Sequence, residues 1–140
     1  MGLTFDYTPR LGPQGVEYDP LVDAVFTNPK NSKRVEIRSL IDSGAASIML
    51  NGQFAKALGI DLTRGDAVAF QGIAHEPVVA YMHLVLIRLT NDSHEYLVPC
   101  FFLPELKMPA LLGQRGFFEH YKVVFERHKK RFQLTPLPQD

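Results

Sequence analysis

Leu40-Ile41-Asp42-Ser43-Gly44-Ala45 is the stretch on which the fold of this chain turns. An apolar strand ends in a carboxylate and a hydroxyl and delivers both into a glycine-containing turn. Aspartate rarely belongs at the end of a core strand without a task. The tripeptide Asp-Ser/Thr-Gly alone is weak, because average residue usage yields it by chance in roughly one chain of this length in fifteen to twenty. The flanking sequence has to decide.

Upstream, Leu21 to Thr27 and Lys33 to Ile41 are β-rich runs separated by Asn28-Pro29-Lys30-Asn31-Ser32, whose turn chemistry predicts a hairpin. Residues 1–20 carry Pro9, Gly12, Pro13, Gly15 and Pro20 and read as an extended N-terminal arm with at most one short strand, leaving 21–140 as the folded domain. Downstream, Phe54, Ala55, Leu58 and Ile60 approach helical spacing and Gly59 supplies a stop, so a helix of about two turns is expected between Asn51 and Ile60. Asp66 to Phe70 and Pro77 to Leu89 are β-type segments bracketing Gln71-Gly72-Ile73-Ala74-His75-Glu76, and Thr90 to Ser93 turns the chain into a strand at Tyr96 to Leu103. Ala110-Leu111-Leu112 reads as a short strand before Gly113, Gln114 to Tyr121 as a short helix, and Val123 to Glu126 with Arg131 to Leu134 as a closing hairpin. The fold class is all-β with one or two short helices.

Composition narrows the function classes. The 140 residues are 46% hydrophobic and 21% charged, which is ordinary for one globular domain. Fifteen basic and fifteen acidic side chains cancel, so no global field steers the chain onto nucleic acid or an anionic membrane, and neither is expected as a partner. The longest stretch free of charge, Ser43 to Ala55, is too short and too polar to span a bilayer. No secretory pattern opens the sequence, which leads us to expect a cytoplasmic protein. The lone Cys100 sits in an apolar run and reads as a buried, inert thiol. Five histidines lack ligand spacing, so the residues call for no metal and no cofactor. Ser43 and Ser47 lack the Gly-x-Ser-x-Gly setting of a serine hydrolase, and no phosphate-binding glycine pattern is present. The run Arg127 to Arg131 is basic but reads as a solvated hairpin tip.

The apolar strand before Asp42, the Ala after Gly44, a helix ending in Ala57-Leu58-Gly59-Ile60, a glycine-bearing hairpin at Gly72 and Leu111-Leu112-Gly113 some seventy residues on together resemble the retropepsin-like (retroviral-type) aspartic proteases. The resemblance covers about Leu21 to Leu134. It implies a closed β-barrel of the acid-protease type with one lobe per chain. It assigns Asp42 as the catalytic aspartate, Ser43, Gly44 and Ala45 as support of the active-site loop, and Gln71, Gly72, Ile73 and Ala74 as the flap. Leu111, Leu112 and Gly113 become the second hydrophobic-Gly motif under the loop. In that family Ser43 would brace two active-site loops against each other. Viral members follow this glycine with an Arg paired to an acid just past the tripeptide. Here Gln114 stands in that place, with Arg115 one residue on, and Ala46 and Ser47 stand where the acid would be.

Hydrolysis by aspartates needs two carboxylates about 3 Å apart sharing one proton, because like charges so close cannot both ionise. The sequence holds one such motif. The resemblance therefore implies a homodimer, since a two-fold axis brings the same loop from each subunit together. An endopeptidase acting on a peptide or protein substrate is the leading expectation. A non-catalytic peptide-binding or dimerisation module with the same fold is the alternative, and a nucleic-acid-binding β-domain using Arg127 to Arg131 is a weaker third.

Overall fold

A computed structural model describes residues 2–71 and 77–139. The predicted hairpin forms as β4 (Leu21–Thr27) and β5 (Arg34–Ile41), antiparallel in the register Leu21↔Leu40 to Thr27↔Arg34. The turn between them is tied down by side chains, since Asn28 and Asn31 both donate from Nδ2 to the Leu58 carbonyl, at 2.9 and 3.1 Å. Four further strands complete the barrel: β6 (Ile48–Asn51), β8 (Pro77–Leu89), β9 (Glu95–Leu103) and β10 (Ala110–Leu112). Their order is β4-β5-β10-β6-β9-β8, and β8 pairs back onto β4, so six strands close and none of them is left as a free edge. The expected closed β-barrel is thus the observed fold. A strand outside the ring, β7 (Asp66–Gln71), hangs on β8 alone.

Alternation of apolar and polar residues fills the barrel. Val22, Ala24 and Phe26 of β4, Ile37 and Ile41 of β5, Val85, Ile87 and Leu89 of β8, and Val98, Cys100 and Phe102 of β9 all point into one buried cluster. Cys100 is fully buried, and its apolar surroundings push the thiol pKa up, which keeps it protonated.

Three expectations change. Residues 1–20 hold three strands where at most one was expected: β1 (Leu3–Asp6), and a separate hairpin of β2 (Thr8–Gly12) and β3 (Gly15–Asp19). β1 pairs with β12 (Arg131–Pro136), which also pairs with β11 (Tyr121–Glu126), so the two ends of the chain share a three-stranded sheet. The helix expected between Asn51 and Ile60 is one turn, α1 (Phe54–Ala57). Asn51 is taken by β6, and Gly59 at φ +64° ends the turn. Gln114 to His120 forms turns around a bridge at Arg115 instead of a helix, and Tyr121 already belongs to β11. Gly116 at φ +94° breaks the helical path, and Arg115 spends its backbone N–H on the Ala46 carbonyl.

The β8–β9 turn is bolted to the start of β11. Asp92 accepts the Tyr121 hydroxyl at 2.5 Å and the His94 ring Nδ1 at 2.7 Å. Tyr96 stacks on His120 with ring centroids 4.0 Å apart. Among the described residues no helix is long and apolar enough to cross a membrane.

Candidate active site

Asp42 follows the last residue of β5, where the chain leaves the barrel wall. Its backbone N–H donates to the Leu112 carbonyl of β10 at 3.0 Å, continuing the parallel pairing Leu111↔Leu40 and Leu112↔Ile41. The chain then turns tightly. Ala45 N–H donates to the Asp42 carbonyl at 3.1 Å, and Gly44 N–H donates to the Asp42 carboxylate Oδ1 at 2.9 Å. A Cβ on residue 44 would lie 3.2 Å from that oxygen, a tight contact that glycine avoids.

Leu111, Leu112 and Gly113 lie directly beneath this loop. Leu112 is wholly buried, and Gln114 and Arg115 donate their N–H groups to the Ala45 and Ala46 carbonyls, each at 2.9 Å. A Cβ on Gly113 would collide with the carbonyl oxygens of Ser47 and Ala45, so the two segments pack backbone against backbone only because residue 113 has no side chain. The structure therefore brings together the two motifs that lie seventy residues apart in sequence. Ala45 is buried, while Ser43 and Gly44 face outward and Asp42 is half-buried. Of the expected flap, Gln71 is the last residue of β7, and Gly72, Ile73 and Ala74 lie outside the described residues.

Gln114 is more than a missing arginine. Its side-chain amide Nε2 donates to the Ser43 carbonyl at 2.8 Å, clamping the loop from the outside. Sequence reasoning noted the substitution without assigning this bond. The position immediately after Gly113 was the available signal. The basic run is engaged within the chain: Arg127 and Lys130 each lie 4.8 Å over the Tyr18 ring, and Lys129 and Arg131 pair with Glu126. Among the described residues, no group of three or more His, Cys, Asp or Glu side chains could hold a metal ion.

A half-exposed carboxylate held, among the described residues, by one backbone N–H can act on water or a carbonyl if a second acidic group meets it. Comparison with known proteins agrees with that arrangement. The sequence matches the family described as Aspartyl protease over residues 30–115, a span holding both motifs. No curated protein sequence matches. Among solved structures, the chain is similar to a retropepsin-like aspartic protease from Rickettsia conorii at 18% identity and a TM-score of 0.62. That likeness covers 96% of this chain and 90% of the other. It is also similar to the retroviral protease-like domain of Ddi1 from Leishmania major, at 13% identity and a TM-score of 0.50, over 84% of this chain and 94% of that domain. With more than half of the chain matched, the chain belongs to the aspartyl protease family, and its barrel has the retropepsin-like fold of these structures.

Proposed function

We propose that the chain is an aspartic endopeptidase that hydrolyses peptide bonds as a homodimer, with Asp42 of each subunit forming the dyad. The observation that carries this reading is the double clamp on the Asp42 loop: Leu112 and Gln114 hold it from below and outside, while among the described residues the carboxylate takes a single bond, from Gly44 N–H. Such a carboxylate is preorganised and has lone pairs to spare. A two-fold axis beside Ser43 and Gly44 would set two of these loops face to face.

In that dimer the two carboxylates share one proton. The ionised Asp42 takes a proton from water as its oxygen bonds to the scissile carbonyl carbon. The protonated Asp42 of the second subunit gives its proton to the carbonyl oxygen. The first Asp42, now protonated, gives that proton to the amide nitrogen while a hydroxyl of the resulting diol returns its proton to the second, so the C–N bond breaks, the amine leaves and the dyad again holds one proton. The Gly44 N–H bond at 2.9 Å orients the carboxylate in each subunit.

The test pairs hydrolysis of a casein-type substrate with sedimentation equilibrium at micromolar concentration. The wild type should cleave and associate, and Asp42→Asn should lose cleavage while staying folded, because the amide keeps the shape but cannot act as a base. Wild-type hydrolysis by Asp42→Asn, or by a strict monomer, would defeat the proposal. A dimer that hydrolyses nothing would leave the non-catalytic peptide-binding module as the reading.

A further inference from the structure

We infer that Arg115 makes the cleft selective for substrates carrying an acidic side chain a few residues from the scissile bond, an inference that rests on the endopeptidase reading of the Asp42 loop. Arg115 is fastened to that loop. Its N–H donates to the Ala46 carbonyl at 2.9 Å, and it forms a parallel bridge with Ser47. Ala46 is four residues from Asp42, a span of at most about 14 Å even if fully extended, and the turn from Asp42 to Ala45 shortens it.

Beside the loop lies an open concavity of about 340 Å³ lined by Ala46, Gln114, Arg115, Phe118 and Glu119. The Gln114 amide is committed to the Ser43 carbonyl, and Glu119, the one acid of the lining, is held within its own turn by the Gly116 N–H on Oε1 at 2.8 Å and makes no ion pair with Arg115. Arg115 is exposed, and among the described residues its guanidinium forms no ion pair. Ala46 contributes only a methyl group to the lining, so position 46 supplies no acid to pair with it. Half-buried Phe118 supplies an apolar wall.

A guanidinium presents five donors in a planar fork that matches a carboxylate in two parallel bonds. Held at the backbone and without an ion pair among the described residues, Arg115 can turn this fork to an incoming Glu or Asp. A lysine in the same place on the substrate would be repelled, and a glutamine would lose the charge-assisted part of the bond.

The experiment uses fluorescein-labelled peptide pools, degenerate except for a fixed Glu, Gln or Lys at one of the four positions on either side of the pool's centre. Cleavage by wild-type protein should favour Glu over Gln about fivefold at one position, through KM, the upper range for a charge pair open to solvent. Arg115→Gln should bring that ratio to about one, and Arg115→Glu should turn it toward Lys. In parallel, anisotropy measures binding of the same pools to Asp42→Asn protein, where no turnover is needed. If binding ranks the pools Glu over Gln over Lys and the ranking inverts in a protein carrying both Asp42→Asn and Arg115→Glu, the selectivity stands even should catalysis fail. Pools that bind and cleave alike in wild type and Arg115→Glu would overturn it. So would an Arg115→Gln protein that keeps the full Glu preference and changes only its dimer dissociation constant.

Discussion

Gly113→Ala is the most direct probe of how the site is built. The added methyl would meet three backbone atoms at once: Ser47 O, Ala45 O at 2.5 Å and Ala45 C at 2.9 Å. Backbone cannot rotate aside as a side chain can, so either the loop lifts or β10 drops. Ordinary contact requires about 3.5 Å or more, so the loop has to move by about 1 Å. Overpacking of this kind costs about 1–3 kcal/mol. The displacement also strains the bonds from Gln114 N–H to Ala45 O and from Asp42 N–H to Leu112 O, and losing one adds about 1 kcal/mol. The expected total is about 2–4 kcal/mol, which for a domain of this size is a fall of roughly 5–15 °C in Tm. Urea unfolding and calorimetry read the stability, and the casein assay reads the rate. The rate should fall further than stability explains, because a 1 Å shift of a reacting group can cost about a hundredfold. A Gly113→Ala protein with wild-type Tm and wild-type rate would refute the backbone-on-backbone packing from which the site is argued.

Other expectations follow from single contacts. If Ser43 braces the paired loops across the dimer axis, Ser43→Ala should cost on the order of 1–3 kcal/mol by leaving its partner unsatisfied, read as a weaker dimer and a lower Tm, while Ser43→Thr should be tolerated. An Ala variant equal to wild type in both would make Ser43 an ordinary exposed turn residue. Gln114→Ala removes the side-chain bond to the Ser43 carbonyl and should lower the hydrolysis rate with a stability loss of no more than about 1.5 kcal/mol; an unchanged rate would show that the clamp is dispensable. Burial opposes ionisation of Asp92, but hydrogen bonds from Tyr121, the His94 ring and the backbone of His94 and Ser93 outweigh it and hold the carboxyl below its ordinary range. The folded pKa is thus below the unfolded one. The stabilisation is complete above the unfolded value of about 4 and is lost as pH falls through the folded value. The stability gap between wild type and Asp92→Asn, followed by urea unfolding from pH 7 to pH 2, should close on the acid side. A gap constant with pH would contradict the assignment.

The places where local pattern failed have a common cause. Ile48 to Leu50 is an apolar run of three residues, too short for its period to separate strand from helix. It becomes β6 because β10 pairs along one side of it and β9 along the other, both from fifty or more residues downstream. That pairing claims Asn51 and leaves α1 a single turn. Leu3 to Asp6 likewise becomes a strand because β12, at the far end of the chain, offers it an edge. The weak helical tendency of Gln114 to Tyr121 yields to the loop, which takes the N–H groups of Gln114 and Arg115.

What the sequence determined by itself is chemical and local. The alternation in β4, β5, β8 and β9 specifies strands with one buried face, and Asp42-Ser43-Gly44-Ala45 after an apolar strand, together with Leu111-Leu112-Gly113, points to the family and to the one candidate carboxylate. What only the tertiary structure decided is contact between segments far apart in the chain: β8 closing on β4, Leu112 and Gln114 holding the Asp42 loop, and Arg115 fastened to the Ala46 carbonyl. A backbone N–H or a guanidinium carries no mark of its partner in the residue order. Which acceptor it meets is set by how the strands pack and close, and that is a property of the whole barrel.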